Sequence, residues 1–151
     1  MRLALFQPDI PQNTGTILRM ATCFDLPVDI IEPCGFAFSD RRLKRAGLDY
    51  LQRAQICRYP SWQDFRKTIS TRARLVLLTT KSDIGYTQVE YLDGDVLLVG
   101  SETAGVPPEI HEQADVRVRI PTARDCRSLN VAVACAIVAG EALRQTGRFC
   151  A

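Results

Sequence analysis

Six short apolar runs rich in branched side chains punctuate the chain, at residues 2–6, 28–31, 54–58, 75–80, 95–100 and 116–120. Their length and composition predict β-strands. Between them, apolar positions recur with helical period, which predicts helices over 14–24, 40–46, 62–70, 108–113 and 129–146. Strands that alternate with helices predict an α/β fold, a mostly parallel sheet with helices on both faces. No segment reads as a linker, a repeat or a low-complexity stretch, so residues 1–151 are expected to form a single domain.

The last helix departs from the usual amphipathic pattern. Residues 131–140 are apolar all round and mostly small, so the helix is not expected to lie on an open surface. Ala132, Ala136 and Gly140 recur at intervals of four and put small residues on one stripe, which lets another helix approach closely. That neighbour is either a helix of the same chain or a second subunit, and both readings stay open on the sequence.

Where apolar runs stop, turns rich in glycine and proline begin. Val99-Gly100-Ser101-Glu102-Thr103-Ala104-Gly105-Val106-Pro107 follows the fifth run, Ile120-Pro121 ends the sixth, and Arg127-Ser128-Leu129-Asn130 precedes the last helix. Such turns let backbone approach a ligand, and two of them on neighbouring strand ends make one pocket. The first run leads into Gln7-Pro8-Asp9-Ile10-Pro11-Gln12-Asn13-Thr14-Gly15, where Asn13 or Thr14 is placed to cap the helix that carries Arg19.

Composition narrows the class. Hydrophobic residues make up 46% of the 151, enough to bury a core. The formal net charge of +2, from 19 Lys and Arg against 17 Asp and Glu, excludes a strongly basic nucleic-acid binder, so any nucleic-acid contact must come from local clustering. Arg41, Arg42, Lys44 and Arg45 form such a cluster on two helical turns, with Leu43 and Ala46 left for the core; alone, such a run is more often a solvated face. The six cysteines are scattered without a C-x-x-C pair, which indicates reduced thiols and neither a metal site nor a redox dithiol. No apolar stretch reaches eighteen residues and no leader pattern opens the chain, so a cytoplasmic protein with no membrane contact is expected.

Taken together, Asn13-Thr14-Gly15 with Arg19, Gly100-Ser101-Glu102-Thr103-Ala104-Gly105, and Ile120-Pro121 with Ser128-Leu129-Asn130 resemble the three ordered motifs of the SPOUT class of RNA 2'-O-ribose methyltransferases. Ile31-Glu32-Pro33-Cys34-Gly35-Phe36-Ala37-Phe38 and Arg45-Ala46-Gly47-Leu48-Asp49-Tyr50 resemble its short single-domain branch, which methylates the wobble nucleotide of certain tRNAs. The resemblance implies a C-terminal trefoil knot, which general topology rules would reject. It also implies S-adenosylmethionine as cofactor, held by Leu78, Gly100, Ile120 and Ser128, with Gly100 leaving room for the adenosine. The implied partners are a tRNA anticodon stem-loop and a second copy of the chain, with no metal.

The implied reaction is an in-line methyl transfer to a ribose 2'-hydroxyl, which the site must hold near the methyl while its proton leaves. His111, the only histidine, falls outside the three motifs. Arg19 matches the catalytic arginine of the class; a guanidinium keeps its proton at neutral pH, so it is expected to grip phosphate and orient the hydroxyl. Asn13, Glu102 and Asn130 are expected to hold that arginine and the loops in place. The alternatives are a same-class enzyme acting on another RNA such as rRNA, and a non-catalytic RNA-binding module that keeps the fold. A nicotinamide-binding fold would need G-x-G-x-x-G after the first strand, and the chain has none there.

Overall fold

Alternation along the strands divides the interior in two. In β1 (Arg2–Phe6), Leu3 and Leu5 point to one face while Ala4 and Phe6 point to the other. The same alternation continues in β2 (Val28–Ile31), β4 (Leu75–Leu78) and β5 (Val96–Val99), and β3 (Ile56–Tyr59) and β6 (Val116–Val118) complete the sheet. These observations come from a computed structural model that describes residues 1–39, 41–70 and 72–149.

The sheet order is β3-β2-β1-β5-β4-β6, with every pair parallel. Helices α1 (Pro11–Cys23), α2 (Arg41–Gly47) and α5 (Val131–Gln145) cover one face, where Ile17, Leu18, Leu43, Val138 and Leu143 join the core. On the other face lie α3 (Trp62–Thr68) and α4 (Pro108–Gln113), bringing Trp62, Phe65 and Ile110 against the sheet. The expected architecture, mostly parallel with helices on both faces, is the observed one. Among the described residues no helix is long and apolar enough to cross a membrane.

Several boundaries differ from the sequence expectation. Helix α1 starts at Pro11 rather than at residue 14, and Ile10 at its N-cap makes no side-chain cap bond, so neither Asn13 nor Thr14 caps it. Proline at the first helical position needs no cap partner for its missing N–H and arrives with helical φ, which moves the start forward. Asn13 is thereby released for another partner. Strands β4, β5 and β6 each stop one or two residues early, leaving Gly100 and Ile120 beyond the ladder as loop residues. The third strand is shifted to 56–59, α3 ends at Thr68, and two short 3-10 turns, Leu48–Gln52 and Tyr86–Gln88, carry no strong sequence signal. Asp40, expected to open the second helix, lies outside the described residues.

Helix α5 buries Cys135, Val138, Ala139, Ala142 and Leu143 but leaves Val133 half exposed and Ala136, Ile137 and Gly140 partly so. A helix apolar all round therefore does lie at the surface of this single chain, with Leu129 continuing its outer apolar stripe. Cys23, Cys34, Cys57, Cys126 and Cys135 are free thiols. Cys150 lies outside the described residues.

Candidate active site

The ends of β4, β5 and β6 open into a cleft of about 770 Å³, the size of a small-molecule site. Leu78 is the last residue of β4, Gly100 follows β5 directly, and Ile120 lies two residues past β6. All three line the cleft, together with Ser128 from the loop that leads into α5. Parallel strands necessarily point their carboxyl ends the same way, so residues far apart in sequence converge at one rim.

The turn after β5 is closed by its own backbone. Ser101 N–H donates to the Gly105 carbonyl at 3.1 Å, and Gly105 N–H returns a bond to the Ser101 carbonyl at 2.9 Å. Gly105 takes φ +70°, a left-handed conformation that favours glycine. Gly100 is needed for a reason within the turn itself. A Cβ there would lie 2.4 Å from the Gly105 carbonyl carbon, so the residue is glycine because the turn folds back over it.

One hydrogen-bonded chain joins three of the expected residues. Asn130 Nδ2 donates to Asn13 Oδ1 at 2.9 Å, and Asn13 Nδ2 donates to Glu102 Oε1 at 3.0 Å. Asn130 also caps α5, its Oδ1 accepting from Ala132 N–H at 2.9 Å and Val133 N–H at 3.3 Å. With both ends of its amide engaged, Asn130 is fixed in orientation, and it fixes Asn13 in turn. Burial pushes the Glu102 carboxyl above its ordinary range, and a hydrogen bond with the Asp9 side chain pushes it further the same way.

Arg19 lies apart from this chain. It is exposed on α1, its guanidinium 5.2 Å from the centre of the Tyr50 ring, and it is not among the residues lining the cleft. Asn13, Glu102 and Asn130 therefore hold one another and the loops, while none of the three bonds Arg19 within this chain. His111 likewise stands outside the cleft. Arg41, Arg42, Lys44 and Arg45 are all exposed on α2, and Leu43 faces the core as its spacing predicts.

Sequence reasoning missed Thr79, Arg119 and Cys126 on the cleft wall and Asp9 beside Glu102. Thr79 and Arg119 fall inside the predicted runs 75–80 and 116–120, and they become rim residues because β4 ends at Leu78 and β6 at Val118. Asp9 gave no signal of its own, because its role depends on which loop it meets.

The SpoU rRNA Methylase family matches residues 1–140 of the chain. A tRNA (cytidine(34)-2'-O)-methyltransferase of Beijerinckia indica subsp. indica is 53% identical over 96% of this chain and 91% of its own length. One from Escherichia coli is 40% identical over 97% and 94%. A solved structure described as giving structural insights into the 2-OH methylation of C/U34 on tRNA superposes with a TM-score of 0.92 at 36% identity, covering 95% of this chain and 94% of the other. An AdoMet-bound rRNA methyltransferase from Sinorhizobium meliloti superposes at 0.85 with 30% identity, over 95% of this chain and 55% of that one.

Proposed function

Because the chain belongs to the SpoU rRNA Methylase family, we propose that it transfers a methyl group from S-adenosylmethionine to the ribose 2'-hydroxyl of the wobble nucleotide, position 34, of tRNA. The observation that carries this reading is the convergence, in one cleft, of Leu78, Gly100, Ile120 and Ser128 with the Asn13–Glu102–Asn130 chain. The relatives named for the same reaction are alike over nearly their whole lengths, which leaves little sequence for a different activity.

The cleft fits the cofactor. Leu78 and Ile120 offer apolar surface, while the exposed backbone around Gly100 and the hydroxyl of Ser128 offer polar groups for an adenosine and an amino-acid end. Bound there, S-adenosylmethionine supplies an electrophilic methyl group on a sulfonium. The rest of the work falls to the protein. Asn130 and Asn13 hold Glu102 and the turn after β5 in register, so that the cleft keeps its shape without reorganising during the reaction. Arg19 grips the phosphate next to the target ribose and orients the 2'-hydroxyl toward the methyl.

Arg19 is exposed on α1 and does not line the cleft of its own chain, so the reading includes a homodimer in which one protomer's Arg19 serves its partner's cleft. The exposed apolar stripe of Leu129, Val133 and Ile137 supplies the surface to be covered, and partly exposed Ala136 and Gly140 permit close helix approach. Ala136→Phe is expected to give monomers, or to prevent folding, because overpacking a close contact costs about 1–3 kcal/mol or more. Sedimentation that finds the wild-type protein monomeric at micromolar concentration would refute the dimer. The single domain over 1–151, the trefoil knot and a cytoplasmic location belong to the same reading.

The anticodon stem-loop is the proposed RNA partner, tracked along its backbone by Arg41, Arg42, Lys44 and Arg45 with Arg124 and Arg127. Reversing Arg41 and Arg45 to glutamate is expected to weaken tRNA binding and to lower its salt slope by about one for each phosphate no longer neutralised. Turnover at saturating RNA is expected to survive. Equal salt slopes in variant and wild type would detach α2 from the RNA. The proposed reaction itself is tested by nucleoside mass spectrometry of tRNA transcripts incubated with protein and cofactor. A 2'-O-methyl at the wobble nucleotide supports it; methylation confined to rRNA would move the substrate and keep the chemistry.

A further inference from the structure

Asp9 lies outside the three sequence motifs, between two loops of the cleft. Its backbone N–H donates to Glu102 Oε2 at 3.0 Å. Its Oδ2 accepts from Thr103 twice, from the N–H at 3.3 Å and from the hydroxyl. Behind it, Gly35 is pressed so close that a Cβ there would come within 2.8 Å of Asp9 Cα, which pins the aspartate backbone. The remaining oxygen, Oδ1, is buried and has no donor among the described groups.

A buried acceptor without a donor is costly, and so are two ionised carboxylates side by side. One proton on Glu102 removes both costs, since it cancels the repulsion and gives the Asp9 carboxylate a donor. The electrostatics run the same way: a hydrogen bond from Glu102 holds Asp9 below the ordinary carboxylate range, and burial with that same bond pushes Glu102 up.

We propose that Asp9 is a positioning residue for the methyl transfer: its carboxyl and that of Glu102 hold one proton between them, and this shared proton clasps the turn after β5 to the loop that leads into α1. The inference rests on the cleft being the cofactor site. Around the pair stand neutral groups, Thr103 from the turn, Asn13 from α1, and Asn130 at the start of α5 beyond it. The charged side chains lining the same cleft, Arg119 and Arg127, come from the segment after β6. The sign follows from the two directions. The clasp is strongest where Asp9 is ionised and Glu102 protonated, and it is lost as pH rises through the raised Glu102 value.

Asparagine at position 9 is the decisive variant. Its oxygen can still accept from Thr103, while its N–H₂ can donate to an ionised Glu102, replacing the shared proton by one that does not titrate in this range. The experiment measures S-adenosylmethionine affinity by calorimetry and single-turnover methylation of tRNA, from about pH 5 to pH 8.5, for wild type, D9A and D9N, with thermal melts to confirm folding. Wild-type affinity is expected to fall on the alkaline side. D9A is expected to bind about 10-fold more weakly or worse at the lower end, matching loss of a charge-assisted hydrogen bond. D9N is expected to recover most of that loss and to give a flat profile. A folded D9A with wild-type affinity and pH profile overturns the clasp while leaving the cofactor site intact, and so does a D9N profile that bends like wild type. Wild-type protein that binds no S-adenosylmethionine overturns the reading of the cleft as well.

Discussion

Arg19→Ala is expected to abolish methyl transfer almost completely, lowering the single-turnover rate by on the order of 10³-fold, as loss of a preorganised charge at a reacting centre does elsewhere. The side chain is exposed, packs on Tyr50 and bonds to no group in its own cleft. The loss of this exposed contact is expected to lower stability by no more than about 1 kcal/mol. Cofactor affinity is also expected to hold, because the residues that line the cleft lie on other elements. Arg19→Lys keeps the charge but loses the planar fork and its two parallel hydrogen bonds to phosphate, and is expected to retain a small remainder of activity. An Arg19→Ala enzyme running at the wild-type rate would remove Arg19 from the mechanism. Mixed dimers add a sharper readout. If one protomer's Arg19 serves its partner's cleft, an Arg19→Ala protomer paired with a Gly100→Leu protomer leaves one complete site, and activity reappears on mixing two inactive proteins.

The second large effect is expected at Gly100. Even alanine there would place its Cβ 2.4 Å from one Gly105 backbone atom and 2.7 Å from two others, and backbone cannot swing aside as a side chain does. The turn after β5 must open, carrying Glu102 away from Asp9 and Asn13. Gly100→Leu is expected to eliminate cofactor binding by calorimetry, with the far-ultraviolet spectrum retained because the position lies beyond the strand ladder. Gly105 provides the contrast. A Cβ there meets nothing within 4 Å, and the only penalty is its left-handed φ, so Gly105→Ala is expected to cost about 1 kcal/mol and keep measurable binding. If the two variants bind alike, steric closure of the turn is not what Gly100 provides.

The centre of the sheet is readable from sequence because its strands run apolar, as Leu3 to Phe6 and Val96 to Val99 do, whereas β3 at the edge, with Cys57 and Arg58 exposed, is found displaced. The start of α1 is not readable either. Asn13 and Thr14 have cap chemistry, and only the position of Pro11 relative to Ile10 decides that the helix has already begun. The apolar pattern puts Asn130 just inside the last helix, and it is instead the cap of that helix and a partner of Asn13. Glu102 is legible as a motif residue, but its partner Asp9 is not, since a pairing across 93 positions leaves no periodic trace. Gly100 is legible as a place where no side chain fits, but that the Gly105 backbone would meet a Cβ there is visible only in the folded turn. Arg19 shows the limit most plainly. Its motif membership is visible in the chain, whereas its distance from the cleft is visible only in three dimensions.

The bond between Asn13 and Asn130 spans 117 positions. During synthesis, the Asn13 side-chain carbonyl must therefore wait for its donor until the ribosome has delivered everything through Asn130. Closing so long a loop is entropically slow but adds little to the equilibrium cost, since that cost grows only as the logarithm of length. Until α5 arrives, the cleft lacks the wall that Asn130, Val131, Ala134 and Val138 supply, so the last element made is the one that completes it.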